Sequence, residues 1–504
     1  MAFTLANGAR RRNRQKGYQL LKNRVDYQGA CPYGRVMTAT PTEDLATNLV
    51  ERCAQLVRGR KVILVGGVLA GAPRRVRQLR GWAAEAVLVV ADGVGTGELP
   101  GPDEASMVVI QGPERANQSE EVAGWISFAA DPPAEARKAV EAFDPDGAGL
   151  CLLSPFATVD RYLGRESLGG RPQSFLALED KSLGDALWDA VGVPRSPAHV
   201  VDAEPDRVLA AAHDLDTGRG TVWSADASQG MNGGGDRVRW VITDEDARNA
   251  LRTLLPVSAR IRVQPFLEGV PCSIHGFVLP DGVAVFRPVE QVVLRSTSPR
   301  RFLYSGLSTC WDPSALDRHE LREVAWRVGR HLQTEHGYRG GFSVDGVLAA
   351  DGFRPTELNP RFAAGLSTIS KSVPELPLDL LQMATVRGID MGIGAGELED
   401  LLVPAADAQR FGSAHHVITA PGPAETESVD VTGGPDGLRV AERGDFVIGA
   451  IERGPANRGS LIRFTPAEMT PGMRLAPYAV AMFALSDRLW GTGIGPVEAA
   501  PDVR

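Results

Sequence analysis

The sequence predicts a multidomain α/β protein with a doubly wound parallel sheet near its N-terminus. Short apolar runs, typical of buried parallel strands, occur at residues 61–66, 86–91, 107–110 and 150–153. Helical segments at about 72–84 and 133–143 separate several of these runs. Strands that alternate with helices favour a parallel sheet covered on both faces.

The size and charge of the chain limit the classes of protein to which it can belong. It has 504 residues, of which 43% are hydrophobic and 23% charged, and its formal net charge is -8. This length suffices for more than one domain, and the negative balance argues against a protein that mainly binds nucleic acid. No apolar run approaches the ~20 residues that span a bilayer. The composition therefore predicts neither a nucleic-acid partner nor a membrane partner.

The cysteines indicate a reducing compartment. The five are Cys31, Cys53, Cys151, Cys272 and Cys310, an odd number without a C-x-x-C pair. We therefore expect a cytoplasmic protein without structural zinc. A basic cluster at residues 10–16 is not followed by an apolar segment, so we interpret it as a solvated arm rather than a signal peptide.

Beyond residue 150 the pattern changes three times. A helix opens near Lys181 and ends before Gly192, and a compact segment with two strand-like pieces follows it. A longer α/β stretch runs to about residue 388, and the last part has strand-like pieces at 414–419 and 446–451 before an apolar helix at 476–490. We predict three domains, the last of them β-rich, with bounds at 1–149, 150–390 and 391–504.

The strongest chemical signal is Glu357-Leu358-Asn359-Pro360-Arg361, which follows Phe342-Ser343-Val344-Asp345 and a turn at Asp351-Gly352. Two antiparallel strands joined by that turn would place Asp345 beside Glu357, with Asn359 and Arg361 on the face of Glu357. Two carboxylates and an amide oxygen are suitable ligands for Mg²⁺. Arg361 could hold a phosphate or an oxyanion. A solvated hairpin with scattered charges is the alternative interpretation.

Two further segments could contact a nucleotide. Gln264-Pro265-Phe266-Leu267-Glu268-Gly269 follows a strand, so its backbone groups could bind a flat base, its apolar side chains could cover the ring, and its glutamate could accept from ribose hydroxyls. Alone, it is no more than a strand end. Gln229-Gly230-Met231-Asn232-Gly233-Gly234-Gly235 lies between strand-like pieces, and its glycines would let N–H groups approach phosphate oxygens. A plain hairpin turn is the alternative there.

Taken in this order, the motifs resemble the ATP-grasp superfamily over about residues 150–388. The α/β unit before them resembles the pre-ATP-grasp domain, and the segment at about 199–263 resembles the small lid subdomain. The resemblance implies that ATP phosphates contact Lys181 and a mobile loop that contains Gly230, Met231, Asn232 and Gly233. It also implies an adenine hinge formed by Gln264, Phe266, Leu267 and Glu268. By the same resemblance, Mg²⁺ is held by Asp345, Glu357 and Asn359, and Arg361 lies near the transferred phosphate.

One position departs from the family. A second phosphate-binding lysine is usual on the strand before the glycine loop, but here that strand reads Thr221-Val222-Trp223-Ser224-Ala225. Arg219 or Arg237 could take the role of the lysine, or the role could be lost. The chain also has no G-x-x-x-x-G-K-[ST], which argues against a P-loop NTPase.

The resemblance implies a ligase that uses ATP and Mg²⁺ to join a small-molecule carboxylate to an amine through an acyl phosphate, releasing ADP and phosphate. Two alternatives remain, a biotin-carboxylase-like subunit that activates bicarbonate and an ATP-grasp domain that binds nucleotide without turnover. Four arginines could bind a substrate carboxylate, of which we favour Arg295: Arg287, Arg295, Arg300 and Arg301. We interpret His275 and the adjacent His415-His416 as structural, and a homodimer is left open.

Overall fold

The computed structural model describes residues 42–113, 115–228 and 233–504. Its N-terminal part alternates strands with helices. The elements in chain order are α1 (Thr42–Val57), β1 (Lys61–Val65), α2 (Pro73–Gly81), β2 (Ala86–Ala91), β3 (Ser106–Val109), α3 (Gln118–Ala130), α4 (Ala134–Phe143), β4 (Leu150–Leu153), β5 (Arg161–Tyr162) and β6 (Arg165–Gly169).

These strands form one sheet in the order β3-β2-β1-β4-β6-β5. All neighbouring pairs are parallel except β5 with β6. The central strands are apolar on both faces because helices cover both sides, and Val62 and Ile63 are fully buried. The strand order changes direction between β1 and β4, as it does in doubly wound sheets. The predicted fold class of this part is confirmed.

A small subdomain follows a helical connection made of α5 (Gln173–Leu176), a 3₁₀ turn (Ala177–Glu179) and α6 (Gly184–Ala190). Four antiparallel strands in the order β7-β10-β8-β9 form its sheet. Trp223 is buried in the core between this sheet and the subdomain's two helices. The elements are β7 (His199–Asp202), α7 (Pro205–Leu215), β8 (Thr221–Ala225), β9 (Val238–Val241), α8 (Asp244–Leu254) and β10 (Arg260–Pro265).

The central part is an antiparallel sheet packed against helices. Strands β11, β15 and β16 lie side by side at one end, and α9 packs on β11 and β12. The elements are β11 (Gly269–Leu279), β12 (Gly282–Val285), β13 (Val289–Thr297), β14 (Arg300–Ser308), α9 (Ala315–His336), β15 (Gly340–Ala349), β16 (Gly352–Asn359), α10 (Ala364–Ser370), α11 (Leu378–Val386) and α12 (Ala395–Ala408).

The C-terminal strands extend that same sheet. β17 pairs with β14, so the sheet runs without a break from β16 to β19. The last strand, β22, pairs with β13 on the edge opposite β14. The division at residue 391 stays a prediction. The elements are β17 (Gly412–Ile418), β18 (Glu427–Gly434), β19 (Gly437–Val440), β20 (Gly449–Ala456), β21 (Gly459–Pro466), α13 (Ala476–Trp490) and β22 (Val497–Ala499).

One strand begins later than the sequence predicts. The expected strand at 446–451 starts instead at Gly449, and Phe446 is 78% exposed. A turn precedes it, in which the carboxylate of Asp445 accepts hydrogen bonds from Arg439 and from the backbone N–H of Glu442. This local bonding competes with strand pairing.

No helix within the described ranges is long and apolar enough to cross a membrane. The four cysteines that the structure describes, Cys53, Cys151, Cys272 and Cys310, are buried and free.

Candidate active site

The main cavity, of about 540 Å³, lies between the small subdomain, the central sheet and the start of α3. It brings together most of the residues that the sequence predicts for the site and that the structure describes. Those lining it are Lys181, Gly233, Gln264, Phe266, Leu267, Arg295, Asp345, Glu357, Asn359 and Arg361. Gly230, Met231 and Asn232 lie outside the described residues.

The β15–β16 hairpin places the three predicted metal ligands together. Asp345 and Glu357 are direct cross-strand partners, side by side as expected, and a β-bulge between Asp345 and Gly346 shifts the register so that they meet. Asn359 reaches Asp345, because its amide Nδ2 donates to Asp345 Oδ2 at 2.9 Å. The other carboxylate oxygen, Oδ1, accepts from Ser273 Oγ at 2.6 Å. Ser273, on the neighbouring strand β11, is a partner that the hairpin sequence does not reveal.

The chemistry of this donor set fits a hard divalent cation. Burial raises the pKa of Glu357, and the nearby Asp345 raises it further, although Lys181 opposes both effects. Lys181 Nζ lies 3.1 Å from Glu357 Oε2, so an ammonium group partly offsets the local negative charge. Two adjacent carboxylates favour a cation that prefers oxygen ligands, such as Mg²⁺, and the amide of Asn359 lies beside them with its Nδ2 towards Asp345.

Arg361 is held in place by two side chains and an aromatic ring. Its Nε donates to Glu179 Oε1 at 2.9 Å, and its Nη2 donates to Asn359 Oδ1 at 2.8 Å. The guanidinium lies 4.8 Å from the centre of the Phe156 ring. The guanidinium is therefore oriented before any ligand binds.

Glu179 is a site residue whose role the sequence does not predict. Its buried carboxylate accepts from Arg171 and from Arg361. Burial alone would raise the pKa of Glu179, but the two guanidiniums overcome that effect and lower it. Its position two residues before Lys181 is the feature of the sequence that could have identified it as a site residue.

The hinge segment forms one wall of the cavity. Gln264 is buried at the end of β10, and the backbone N–H of Phe266 donates to Gly220 O at 3.0 Å. The Phe266 ring stacks on Trp240, with centroids 4.4 Å apart. Glu268 does not line the cavity. Its carboxylate binds Arg295 at 2.6 Å and Arg219 at 2.8 Å, and its predicted contact with a ribose stays a prediction.

No protein-family model and no curated protein matches the chain. Solved structures do. The biotin carboxylase domain of Hydrogenobacter thermophilus 2-oxoglutarate carboxylase, in complex with MgADP, ADP and bicarbonate, matches at a TM-score of 0.51 and 14% identity, covering 88% of this chain and 91% of that one. Rhizobium etli pyruvate carboxylase matches at 0.50 and 16%, covering 82% and 36%. The chain has the ATP-grasp fold. Aspergillus clavatus carboxyaminoimidazole ribonucleotide synthase, complexed with ATP, also matches, at 0.48 and 13%, covering 86% and 99%.

Within the ATP-grasp fold, the strand that lacks the second lysine has an arginine beside it. Ser224 on β8 pairs with Arg262 on β10, and both line the main cavity. Arg262 is buried and is held by Asp185 through contacts of 2.7 and 2.9 Å. The two arginines that the sequence offered are placed differently. Arg219 is bound to Glu268, and the buried Nη1 of Arg237 has no hydrogen-bond partner among the residues that the structure describes.

The described end of the glycine loop contacts α3. Gly233 N–H donates to Ser119 Oγ at 3.1 Å, and Ser119 N–H donates to Asp236 Oδ2 at 2.9 Å. Gly234 has φ +60° and lies against Gln118, where a Cβ atom would be 2.0 Å from the amide oxygen. The small subdomain is therefore bound directly to the N-terminal α/β part.

The favoured substrate arginine, Arg295, is already engaged. Its guanidinium is bound to Glu268 and lies 4.9 Å from the centre of the Phe266 ring. We therefore assign Arg295 to holding the hinge, and the proposed role in binding a carboxylate stays untested.

His275 lies on β11, buried within the cavity wall. Its Nδ1 has no hydrogen-bond partner among the described residues, and its Nε2 lies 3.4 Å from Ser273 Oγ. Burial lowers its pKa to about 4, so the imidazole is neutral at neutral pH. Gly365 makes room for the ring, because a Cβ there would lie 2.1 Å from Nε2.

Proposed function

We propose that the protein is an ATP-dependent carboxylate–amine ligase. The observation that carries this proposal is the cluster of Lys181, Asp345, Glu357, Asn359 and Arg361 in the wall of a cavity that Phe266 also lines, within an ATP-grasp fold. In this proposal the cluster would bind the phosphates, and the apolar wall at Phe266 would contact the base.

The proposed reaction has two steps. A carboxylate oxygen of the acid attacks the γ-phosphorus of ATP, so a bond to phosphorus forms and the bond to ADP breaks. The amine nitrogen then attacks the carbonyl carbon of the acyl phosphate, the C–O bond to phosphate breaks, and the nitrogen loses a proton. The products are an amide, ADP and phosphate.

The residues have distinct roles in this proposal. Asp345, Glu357 and Asn359 would hold Mg²⁺, which neutralises charge on phosphate oxygens when bound. Lys181 would bind a phosphate oxygen. Arg361, oriented by Glu179, would stabilise negative charge on the transferred group and on the tetrahedral carbon.

Activation of bicarbonate is the second candidate. It is favoured by the two solved structures with TM-scores of at least 0.50, one a biotin carboxylase domain in complex with bicarbonate and the other a pyruvate carboxylase. In this version bicarbonate takes the place of the carboxylic acid.

The test is release of ADP and phosphate from Mg-ATP in the presence of single acids, bicarbonate, and acids paired with amines. Hydroxylamine added in place of the amine should trap an acyl phosphate as a hydroxamate. We expect acid-dependent ADP release that Glu357→Gln abolishes, because that change removes one carboxylate from the metal site.

Three outcomes discriminate between the candidates. Release of AMP instead of ADP would contradict the proposed mechanism. Dependence on bicarbonate alone would favour the second candidate. ATP binding without turnover for every acid in the panel would favour a domain that only binds nucleotide.

A further inference from the structure

A second cavity, of about 200 Å³, adjoins the main one beside β14, β17 and the turn between β20 and β21. The two cavities share part of their walls, including Phe302, Tyr304 and His415. A ligand in the main cavity can therefore extend into the second.

Three arginines line the second cavity, and two of them, Arg239 and the exposed Arg301, have no ion-pair partner among the described residues. Arg458 is paired with Glu121 at 2.9 Å. Arg239 donates only to carbonyl oxygens, those of Asp236 at 2.7 Å and Val238 at 2.8 Å. Arg301 forms no ion pair with any carboxylate in the described part of the chain.

Two carboxylates in the cavity wall offset part of this charge, since Glu121 is paired with Arg458 and Asp236 attracts Arg239. Asp236 accepts from the backbone N–H and hydroxyl of Ser119, and burial lowers the pKa of His415 and of His416 to about 4, so both imidazoles are neutral at neutral pH. Burial, together with the nearby Arg301, lowers the pKa of Arg239 despite the attraction of Asp236. Three guanidiniums against the two carboxylates Glu121 and Asp236 leave the wall with a net positive charge, and an anion in the cavity would offset it.

Comparison with the neighbouring arginines points to the same residue. Arg287 is fully buried between Asp312 and Asp407, Arg295 is bound to Glu268, and Arg300 is paired with Asp246 at 3.2 Å. Of these four arginines between the hinge and the carboxylate hairpin, only Arg301 lacks such a partner within the described ranges and lines a cavity.

We propose that the second cavity binds an anionic oxyacid group, a carboxylate or a phosphate, that one substrate carries in addition to its reacting group. The guanidinium geometry suits both groups, since each offers two oxygens to paired N–H donors. The apolar walls at Phe302 and Val417 would contact the stem that joins this group to the reacting end. This inference rests on the proposed ligase activity and narrows its substrates to those with a second anionic group.

The test uses the full chain saturated with MgADP, which occupies the nucleotide site. Inorganic phosphate and acetate are titrated separately while the melting temperature is followed. We expect a saturable rise for at least one anion. Arg301→Gln should weaken the apparent affinity for it at least about 10-fold, the value of one charge-assisted hydrogen bond. The apparent affinity of Arg301→Lys should lie between those of the wild type and Arg301→Gln.

Arg300→Gln is the matched control, because it removes the same charge from the adjacent residue, which is bound to Asp246. We expect it to bind the anion as the wild type does. The proposal is overturned if Arg300→Gln and Arg301→Gln weaken binding equally, or if neither anion gives a saturable response in the wild type. The anion that binds more tightly identifies the group of the substrate as a phosphate or a carboxylate. No turnover is needed, so a failed ligase assay does not decide this result.

Discussion

At the scale of single residues, the candidate site depends on side chains that orient one another. Arg361 is held by Glu179, which lies far from it in sequence, and Asp345 is held by Ser273 on the next strand. Such contacts fix a guanidinium or a carboxylate at a defined position, which a catalytic or binding site requires.

We predict that Glu179→Gln destabilises the protein at neutral pH by about 3 kcal/mol, because it removes a buried carboxylate bonded to two guanidiniums. The folded-state pKa of Glu179 is lowered, so its contribution is present above the ordinary glutamate pKa of about 4.3 and is lost as pH falls through the folded value. Urea unfolding of the wild type and of Glu179→Gln across pH 3–7 measures this contribution to stability.

The difference between the two proteins should therefore shrink towards acid pH. Glu51→Gln is the control, since the Glu51–Arg58 pair is exposed and surface pairs contribute little. A difference that stays constant with pH would show that lost packing, and not the charge of Glu179, causes the effect.

A second prediction concerns Gly365. The Ala side chain of Gly365→Ala would overlap the imidazole of His275, so we expect a loss of about 1–3 kcal/mol in unfolding free energy. His275→Ala in the same chain should recover part of this loss, which a double-mutant cycle measures.

Gly396→Ala, in helix α12, is the control because a Cβ there meets nothing within 4 Å. It should leave stability unchanged or slightly raised. Additive effects of Gly365→Ala and His275→Ala would contradict the proposed contact.

At the scale of secondary structure, the small subdomain is bound to the N-terminal part at the start of α3. Asp236 accepts from the N–H of Ser119 in the first turn of α3, where helix amides lack partners within the helix. A carboxylate at this position stabilises the helix and fixes the loop next to it.

We predict that Asp236→Ala increases amide hydrogen exchange in the first turn of α3 about 5–30-fold, the effect of losing a cap worth 1–2 kcal/mol. Exchange resolved to peptides around Ser119 measures it. Asp244→Ala, an exposed acid in the first turn of α8, should leave α3 unchanged. Equal exchange at Ser119 in wild type and Asp236→Ala would show that the contact contributes nothing to stability.

At the scale of the whole molecule, the C-terminal strands and helix are part of the core sheet rather than an appendage. Glu290 on β13 is fully buried, and its carboxylate accepts from Arg474 at 2.6 Å and from the N–H of Leu475 at 2.7 Å. One carboxylate thus joins the start of α13 to the strand that carries Arg295.

We predict that Glu290→Gln lowers the unfolding free energy by about 3 kcal/mol, since it leaves Arg474 without its buried partner. Hydrogen exchange should rise both in β13 and at the start of α13, because the two share this contact. Glu498→Gln, an exposed change on the adjacent strand β22, should alter neither. Increased exchange confined to α13 would show that the C-terminal part is stabilised independently.

The sequence by itself determined the fold class, the helix at 476–490 and the β15–β16 hairpin with Asp345 beside Glu357. These follow from local patterns, namely apolar runs, alternation and turn residues, which act over a few neighbouring positions. Asp345 and Glu357 are close in the chain and joined by a tight turn, so their pairing was predictable.

Only the tertiary structure decided which charges are already engaged. Glu268 and Arg295 looked free in the sequence, but each is bound to the other, while Arg301 next to the engaged Arg300 has no carboxylate partner among the described residues. Likewise, Arg262 stands beside Ser224 only because β8 and β10 pair. Ion pairs depend on distances between residues far apart in the chain, and no local pattern encodes those distances.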